Sequence, residues 1–464
     1  MARKYLIETF GCQMNFHESE RMAGLLEQAG FEATEDPEDA EVVVLNTCSV
    51  RERASEKLFS RLGELRTAGG SEETRPLIAV AGCVAQQEGS RILKRAPYVD
   101  VIVGTHAARQ LPVLIEQAAT TGRQQVDLNP YEDVSFPLGL ARRSDPVKAY
   151  VTILEGCNDF CAFCVVPYTR GHERMRSKAE ILAEVREAVA SGRREVQLLG
   201  QIVNHYEAPD DASCDFAALL EAVNDVPGVE RIRFASPHPR HASERLIAAI
   251  RDLPHVCKHV HLPVQSGSTR VLRAMRRRHT REDYLALTDR LRQAIPDMAI
   301  STDMIVGFPG ETDQDFRETL SLTEAVRFSS MFSFKYSERP NTLAARRLKD
   351  DVPDDEKGMR LTELQEAQKA IQWAIHRSDL GRVHEVLVDS RSRRRQHELA
   401  GRTTGNAVVN LPGKPEWLGQ VVAVTILRAG PNSLWGEVRG GAPVDTTSVG
   451  AYVVDAGEST TVES

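Results

Sequence analysis

Along the first 120 residues, apolar and polar positions follow two alternating periods. The runs KYLIETF, EVVVLNT, PLIAVAG and YVDVIVG are mainly apolar and rich in β-branched residues, and read as buried parallel strands. Between them, ESERMAGLLEQAG and RASEKLFSRLGELR place apolar residues at helical spacing. Strand and helix in regular alternation predict a doubly wound parallel sheet over residues 1–120. Residues 121–147 are polar and broken by Pro and Gly, and read as a linker. Alternation resumes at residue 148 with KAYVTILEG, REVQLLGQ, ERIRFAS, CKHVHLPV, MAISTDMIVG and MFSFKYS. Six βα units predict a partial (βα)6 barrel over 148–380, with a trailing amphipathic helix at 353–379. From 381 to 445 the pattern changes to short strands such as VHEVLVDS and QVVAVTILRA, which predict a small antiparallel β-barrel. Residues 446–464 form a polar tail.

A chain of 464 residues exceeds one hydrophobic core, consistent with that division. No apolar run reaches the roughly 18 residues that span a bilayer, and the N-terminus shows no small-residue cleavage site. The expectation is a cytoplasmic protein with no membrane partner. The net charge of −8 argues against nucleic acid only until its distribution is examined. Residues 381–440 hold nine Lys and Arg against five Asp and Glu, a local +4 that leaves −12 elsewhere.

Candidate chemistry centres on eight cysteines. In a reducing compartment, metal binding outranks disulfides for any cluster among them. Cys12, Cys48 and Cys83 each follow one of the first three long strands. The carboxyl ends of strands in an open α/β sheet share one rim, so these thiols should meet there. A second group, Cys157, Cys161 and Cys164, has the spacing C-x3-C-x2-C after the first strand of the second domain. Three thiolates on one loop suit three irons of a cubane cluster, with the fourth iron open. Structural zinc wants four closed ligands, and the nearest histidine, His172, lies eight residues beyond Cys164. Cys214 and Cys257 lack any partner spacing and read as free thiols.

The second cysteine group on a six-fold βα domain resembles the radical S-adenosylmethionine (SAM) enzymes. That resemblance implies a 4Fe–4S cluster on Cys157, Cys161 and Cys164, whose open iron binds SAM. It places Phe163 near the adenine, Gln201 of LLGQ and Gln265 of PVQSGS in the SAM vicinity, and MIVGFPGET (304–312) against the adenine. Nearly the whole chain, about residues 4–440, resembles the methylthiotransferases. By position, Cys12, Cys48 and Cys83 would then hold a second, auxiliary 4Fe–4S cluster. TFGCQMN, NTCSVRERA, GCVAQQEG, CNDFCAFCVVPYTRGHERMRS, HLPVQSGS and FSFKYSERPNT resemble the tRNA-modifying branch. GRTTGNAVVNL and NSLWGEV resemble its RNA-binding TRAM-like barrel. LLGQIVNHY departs from that branch, which usually has Asn at the position of Ile202.

The resemblance implies transfer of a methylthio group to C2 of an N6-isopentenylated adenosine just 3′ of the anticodon. One SAM would supply the methyl group and a second the radical, with the auxiliary cluster supplying sulfur. The alternatives are a ribosomal-protein aspartate methylthiotransferase and a non-enzymatic iron–sulfur RNA-binding protein. The implied partners are tRNA and an electron donor such as a flavodoxin or ferredoxin, for a monomeric enzyme. Arg391, Arg393, Arg394 and Arg395 of RSRRR are candidate RNA-binding residues, and MRRRH (275–279) offers further phosphate contacts. Tyr168, Thr169 and Arg170 are candidates to shape the substrate mouth, with structural packing an equal reading.

Overall fold

The computed structural model describes residues 3–49, 52–68, 75–130, 141–392, 395 and 397–441. The chain divides into one compact unit ending at Ile375 and a second beginning at His376.

In the first unit, β1 (Arg3–Phe10), β2 (Phe31–Ala33), β3 (Val42–Thr47), β4 (Leu77–Ala81), β5 (Val101–Val103) and β6 (Gln125–Asp127) form one sheet in the order β2-β1-β3-β4-β5-β6. Every pairing is parallel. The sheet is covered on both faces, by Met22, Leu26 and Ile115 on one and by Leu58, Leu62 and Ile92 on the other. That two-sided cover is why β3 and β4 read as unbroken apolar runs. The sheet extends past residue 120, because β6 lies within the stretch read as linker. Strands β2 and β6 are three-residue edges, too short to show a period.

The next six parallel strands carry the second domain. β7 (Lys148–Thr152) is followed by the antiparallel ribbon β8 (Leu154–Glu155) and β9 (Arg174–Met175). Then come β10 (Glu195–Leu199), β11 (Arg231–Phe234), β12 (His259–His261), β13 (Ala299–Val306) and β14 (Ser330–Lys335). They form two three-stranded sheets, β11-β10-β7 and β12-β13-β14, joined by a parallel bridge between Ile232 and Val256. Val151, Leu198, Ile232, Val260 and Ile300 share one core, so this is a partial barrel of six strands. The predicted trailing helix spans Asp354–Ser378.

The second unit is a closed barrel of β15 (Val383–Arg391), β16 (Glu398–Thr403), β17 (Val408–Pro412), β18 (Val421–Ala429) and β19 (Leu434–Val438), in the order β15-β16-β17-β19-β18. Val386, Val388, Val409, Leu411, Val422, Val424 and Ile426 fill it. Contrary to expectation, the barrel is not wholly antiparallel: β17 and β19 pair in parallel. That contact joins strands separated by β18, which no local turn signal reveals. No helix among the described residues is long and apolar enough to cross a membrane.

Candidate iron–sulfur and SAM site

The register of the first sheet brings Cys12, Cys48 and Cys83 to one edge. Thr9 pairs with Asn46 and Asn46 with Ala81, so each cysteine lies two or three residues past a paired position. The Cys48 amide donates to the Phe10 carbonyl at 2.9 Å. Cys12 then caps helix α1 (Gln13–Gln28) with extended backbone, and Cys83 opens helix α3 (Cys83–Glu88), which follows helix α2 (Glu52–Ala68). Gly82 precedes Cys83 at φ +86°, and a Cβ there would meet Asn46 Oδ1 at 2.2 Å. Only glycine permits that approach. Asn15, fully buried, ties the edge together: its amide nitrogen donates to Asn46 Oδ1 at 3.0 Å and its carbonyl oxygen lies 3.2 Å from Cys12 Sγ.

Arg170 reaches this edge from the second domain. Its Nη1 donates to Glu18 Oε1 of α1 at 2.7 Å, and its Nη2 is buried without a hydrogen-bond partner. The Cys48 thiol, together with the Arg170 charge, lowers the Cys12 pKa to about 5 despite burial. Burial raises Cys83 to about 11, against the pull of Arg170. The donor set fits an iron–sulfur cluster: three soft thiols on one rim, one already favoured as thiolate, beside a buried cation that offsets the negative charge of the ligated thiolates.

The second cysteine group lies between β8 and β9. The Cys157 amide donates to the Gly171 carbonyl at 3.2 Å, and the Cys164 amide to the Cys161 carbonyl at 3.0 Å. Gly156 stands at φ +81° where a Cβ would lie 2.0 Å from the His172 carbonyl oxygen, so glycine alone lets the two ends of the loop close. Two donors face the sulfurs: the Asp159 amide at 3.5 Å from Cys157 Sγ and Arg277 Nη1 at 3.6 Å from Cys161 Sγ. Burial raises both Cys157 and Cys164 to about 12, with the charge of Cys161 adding to each. Bound iron supplies the positive charge that reverses such shifts. Among the described residues no three His, Cys, Asp or Glu side chains gather around a point for a single metal ion. Thiolates on a cubane each take a different iron, so they need no common point.

The SAM-vicinity residues are placed as follows. Phe163 joins Phe308 and Tyr336 in one apolar cluster, so the 304–312 segment and the cysteine loop do meet. Gln201 is half-buried, with Oε1 lacking a hydrogen-bond partner. Gln265 is buried at φ +82°, held by backbone bonds to Asp303 and Ile305. Arg391 is exposed at the end of β15, and Arg395 is paired with Glu398 at 2.8 Å. Arg393 and Arg394 lie outside the described residues. Cys214 and Cys257 are buried free thiols, and His261 is satisfied by Ser301 and Asp303.

Two groups of residues were not found in the sequence. One is the polar side of α1: His17, Glu18, Glu20 and Arg21 are all buried. His17 contacts Thr152 Oγ1 at 2.7 Å and Glu184 Oε1 at 3.1 Å, and Arg21 faces Glu155 at 3.7 Å. The other lies beside the second cysteine loop. Asp159 pairs with Arg240 at 3.2 Å and faces His238 at 3.7 Å, and the His238 ring lies 5.6 Å from that of His279. Burial keeps both imidazoles neutral, His279 at about 3 and His238 lower still. Asp159 Oδ2, His238 Nε2 and both ring nitrogens of His279 are buried without a hydrogen-bond partner. Buried polar atoms without a hydrogen-bond partner are uncommon in folded proteins, and here they cluster beside the cysteine loop.

Comparison with known proteins bears on this arrangement. Residues 4–104 match an uncharacterized protein family, UPF0004, residues 151–323 the radical SAM superfamily and residues 377–438 the TRAM domain. A tRNA-2-methylthio-N(6)-dimethylallyladenosine synthase of Chromobacterium violaceum is 47% identical over 440 residues, covering 94% of this chain and 98% of the relative. The protein of that name from Methylococcus capsulatus is 46% identical over 445 residues, 95% of this chain and 96% of the relative. Among solved structures, the radical SAM methyltransferase TsrM of Kitasatospora setae superposes at a TM-score of 0.53 with 14% identity, covering 74% of each chain. The radical SAM enzyme OxsB superposes at 0.52 with 13% identity, covering 80% of this chain and 56% of its own. These two likenesses concern the fold alone.

Proposed function

The chain belongs to the tRNA-2-methylthio-N(6)-dimethylallyladenosine synthase family of radical SAM proteins, and from that premise we propose which of its residues carry the reaction. It is a tRNA methylthiotransferase, acting at C2 of the isopentenylated adenosine just 3′ of the anticodon with SAM and 4Fe–4S clusters. Neither the ribosomal-protein reading nor the non-enzymatic one is favoured. The observation that carries the site assignment is the reach of Arg170, from the loop of one cysteine group to the rim that holds the other.

Cys157, Cys161 and Cys164 hold the cluster that binds SAM, and Cys12, Cys48 and Cys83 hold the auxiliary one. When bound, these groups supply the reductive cleavage of SAM and the sulfur for transfer. The chain's own residues supply position. Gly156 closes the first loop, and the half-buried Phe163, backed by the buried Phe308, offers the adenine an apolar contact. Gln201 and Gln265 face SAM. Asp159, His238 and His279 put a buried polar cluster beside the cysteine loop. Arg170 and Glu18 fix the auxiliary rim against the radical loop, so that one base can be addressed from both sides. Arg391 and Arg395 contribute RNA contacts from the barrel. A flavodoxin or ferredoxin reduces the enzyme, which works as a cytoplasmic monomer.

The test is to incubate the anaerobically reconstituted protein with prenylated tRNA, SAM and dithionite, then digest to nucleosides for mass spectrometry. The 2-methylthio nucleoside is expected with 5′-deoxyadenosine. Radical cleavage without the methylthio product from competent tRNA would overturn the reading.

A further inference from the structure

In the run 273–278 Arg277 donates to the Cys161 sulfur, while neither cysteine group uses Arg273, Arg276 or Arg278. The helix Thr269–Ala274 ends there, and the chain turns through Arg276 at φ +57°, a left-handed conformation that costs a non-glycine residue energy. Such local strain concentrates at functional sites. Arg273, Arg276, Arg277 and Arg278 line a cavity of about 560 Å³ together with Asp159 and Phe160 of the cysteine loop. The carboxylate of Asp159 is already engaged by Arg240. Arg277 is half-buried and committed to the Cys161 sulfur and to the Pro263 carbonyl, which accepts from Nη2 at 2.7 Å. The other three are exposed, and among the described residues their side chains form no ion pair or hydrogen bond. Three unneutralised guanidinium groups around a concavity repel one another and attract a polyanion.

The cavity also has aromatic neighbours. Phe160 is 38% exposed and Tyr168 39%, and their rings meet edge to face at 6.3 Å. The Arg346 guanidinium lies 6.0 Å from the Tyr168 ring centre. Guanidinium groups beside open aromatic faces suit single-stranded RNA, in which phosphates and unstacked bases alternate. We propose that this cavity seats the backbone of the tRNA anticodon loop, with Arg273, Arg276 and Arg278 on phosphates and Phe160 and Tyr168 against unpaired bases. The proposal rests on the tRNA reading and adds to it a docking site on the first unit. Because the same residues border the cysteine loop, a base flipped from that strand has a short path to the radical site. A concave wall with aromatic faces favours RNA over an acidic redox protein, which remains as an outcome of the test.

The experiment uses the reconstituted full chain carrying Arg273→Gln, Arg276→Asn and Arg278→Gln together. Asparagine tolerates the left-handed backbone at 276. Anisotropy of a fluorescent prenylated anticodon stem-loop is followed across a potassium chloride series. Each phosphate contact on single-stranded nucleic acid contributes about 0.7 to the salt slope, so the triple variant should lose about 2 from it and weaken binding at least about tenfold. RNA-free SAM cleavage with dithionite should match the wild type, since Arg277 is untouched. An unchanged RNA affinity and slope overturns the proposal. So does unchanged RNA binding with slowed reduction by flavodoxin, which would assign the cavity to the electron donor. If the triple variant fails to load iron, Arg273→Gln and Arg278→Gln singly decide by the same slope, about 0.7 each. A wild-type protein that ignores the stem-loop would instead defeat the tRNA reading itself.

Discussion

Arg170 Nη1 lies 2.7 Å from Glu18 Oε1, and both side chains are buried. The pair joins the loop that follows one cysteine group to the helix capped by a member of the other. Removing one partner strands the other charge. Arg170→Met or Glu18→Gln alone should therefore cost about 3–5 kcal/mol of stability, and the double variant much less than the sum. Urea unfolding of the four proteins checks this. Additive losses would mean that the two charges are not coupled.

The two cysteine groups should separate by iron content. Replacing Cys12, Cys48 and Cys83 with Ala should lower bound iron from about eight to about four per chain, as expected for loss of one cubane. Formation of 5′-deoxyadenosine should persist while the methylthio product disappears. Cys157→Ala should abolish 5′-deoxyadenosine. Iron analysis with chromatography of both products reads all three.

Gly156→Ala forces a Cβ to within 2.0 Å of the His172 carbonyl oxygen at a positive φ. The loop must then open, at a cost on the order of 2 kcal/mol or more. SAM cleavage and iron at Cys157, Cys161 and Cys164 should fall, with the auxiliary cluster retained. Alanine at Gly192, where nothing lies within 4 Å but φ is +96°, isolates the backbone cost from the clash.

His17 gives a signed dependence on pH. Burial, with the charges of Arg21 and Arg143, lowers its pKa from 6.5 to about 3, against the opposing pull of Glu184. The folded protein thus holds a neutral ring that the unfolded chain protonates. Its contribution is complete above pH 6.5 and is lost as pH falls from 6.5 towards 3, by about 1.4 kcal/mol per pH unit. Glu184 is held well below 4.5, so its contribution disappears only at lower pH. His17→Gln should flatten the stability curve between about pH 5 and 6.5 by about one proton's worth. A parallel curve for the variant would show that His17 does not titrate in that window.

Much of this architecture is legible in the chain itself. Strands β3, β4 and β5 are apolar on both faces, and the rule for strand ends gathers Cys12, Cys48 and Cys83 without any structural input. The buried polar side of α1 is not legible. His17, Glu18, Glu20 and Arg21 have the spacing of a solvated helix face, and hydropathy reads an ion-pair partner and a water molecule alike. Asp159, His238 and His279 are far apart in sequence and converge only through barrel closure. Arg170 was visible as a mouth residue, but its reach to Glu18 depends on how the two domains dock.

Helix α1 also acts as a gauge. It carries Cys12 at its cap, while Glu18, Arg21 and His17 clamp its flank to the second domain. A helix advances about 1.5 Å per residue. Inserting one residue between Gln13 and Phe16 would shift Cys12 along that axis and rotate it by about a quarter turn, while the clamp stayed in place. The same insertion beyond Arg21 would leave the spacing between Cys12 and the clamp unchanged. The first turn of α1 therefore sets where Cys12 stands relative to the clamp, as a ruler fixed at one end.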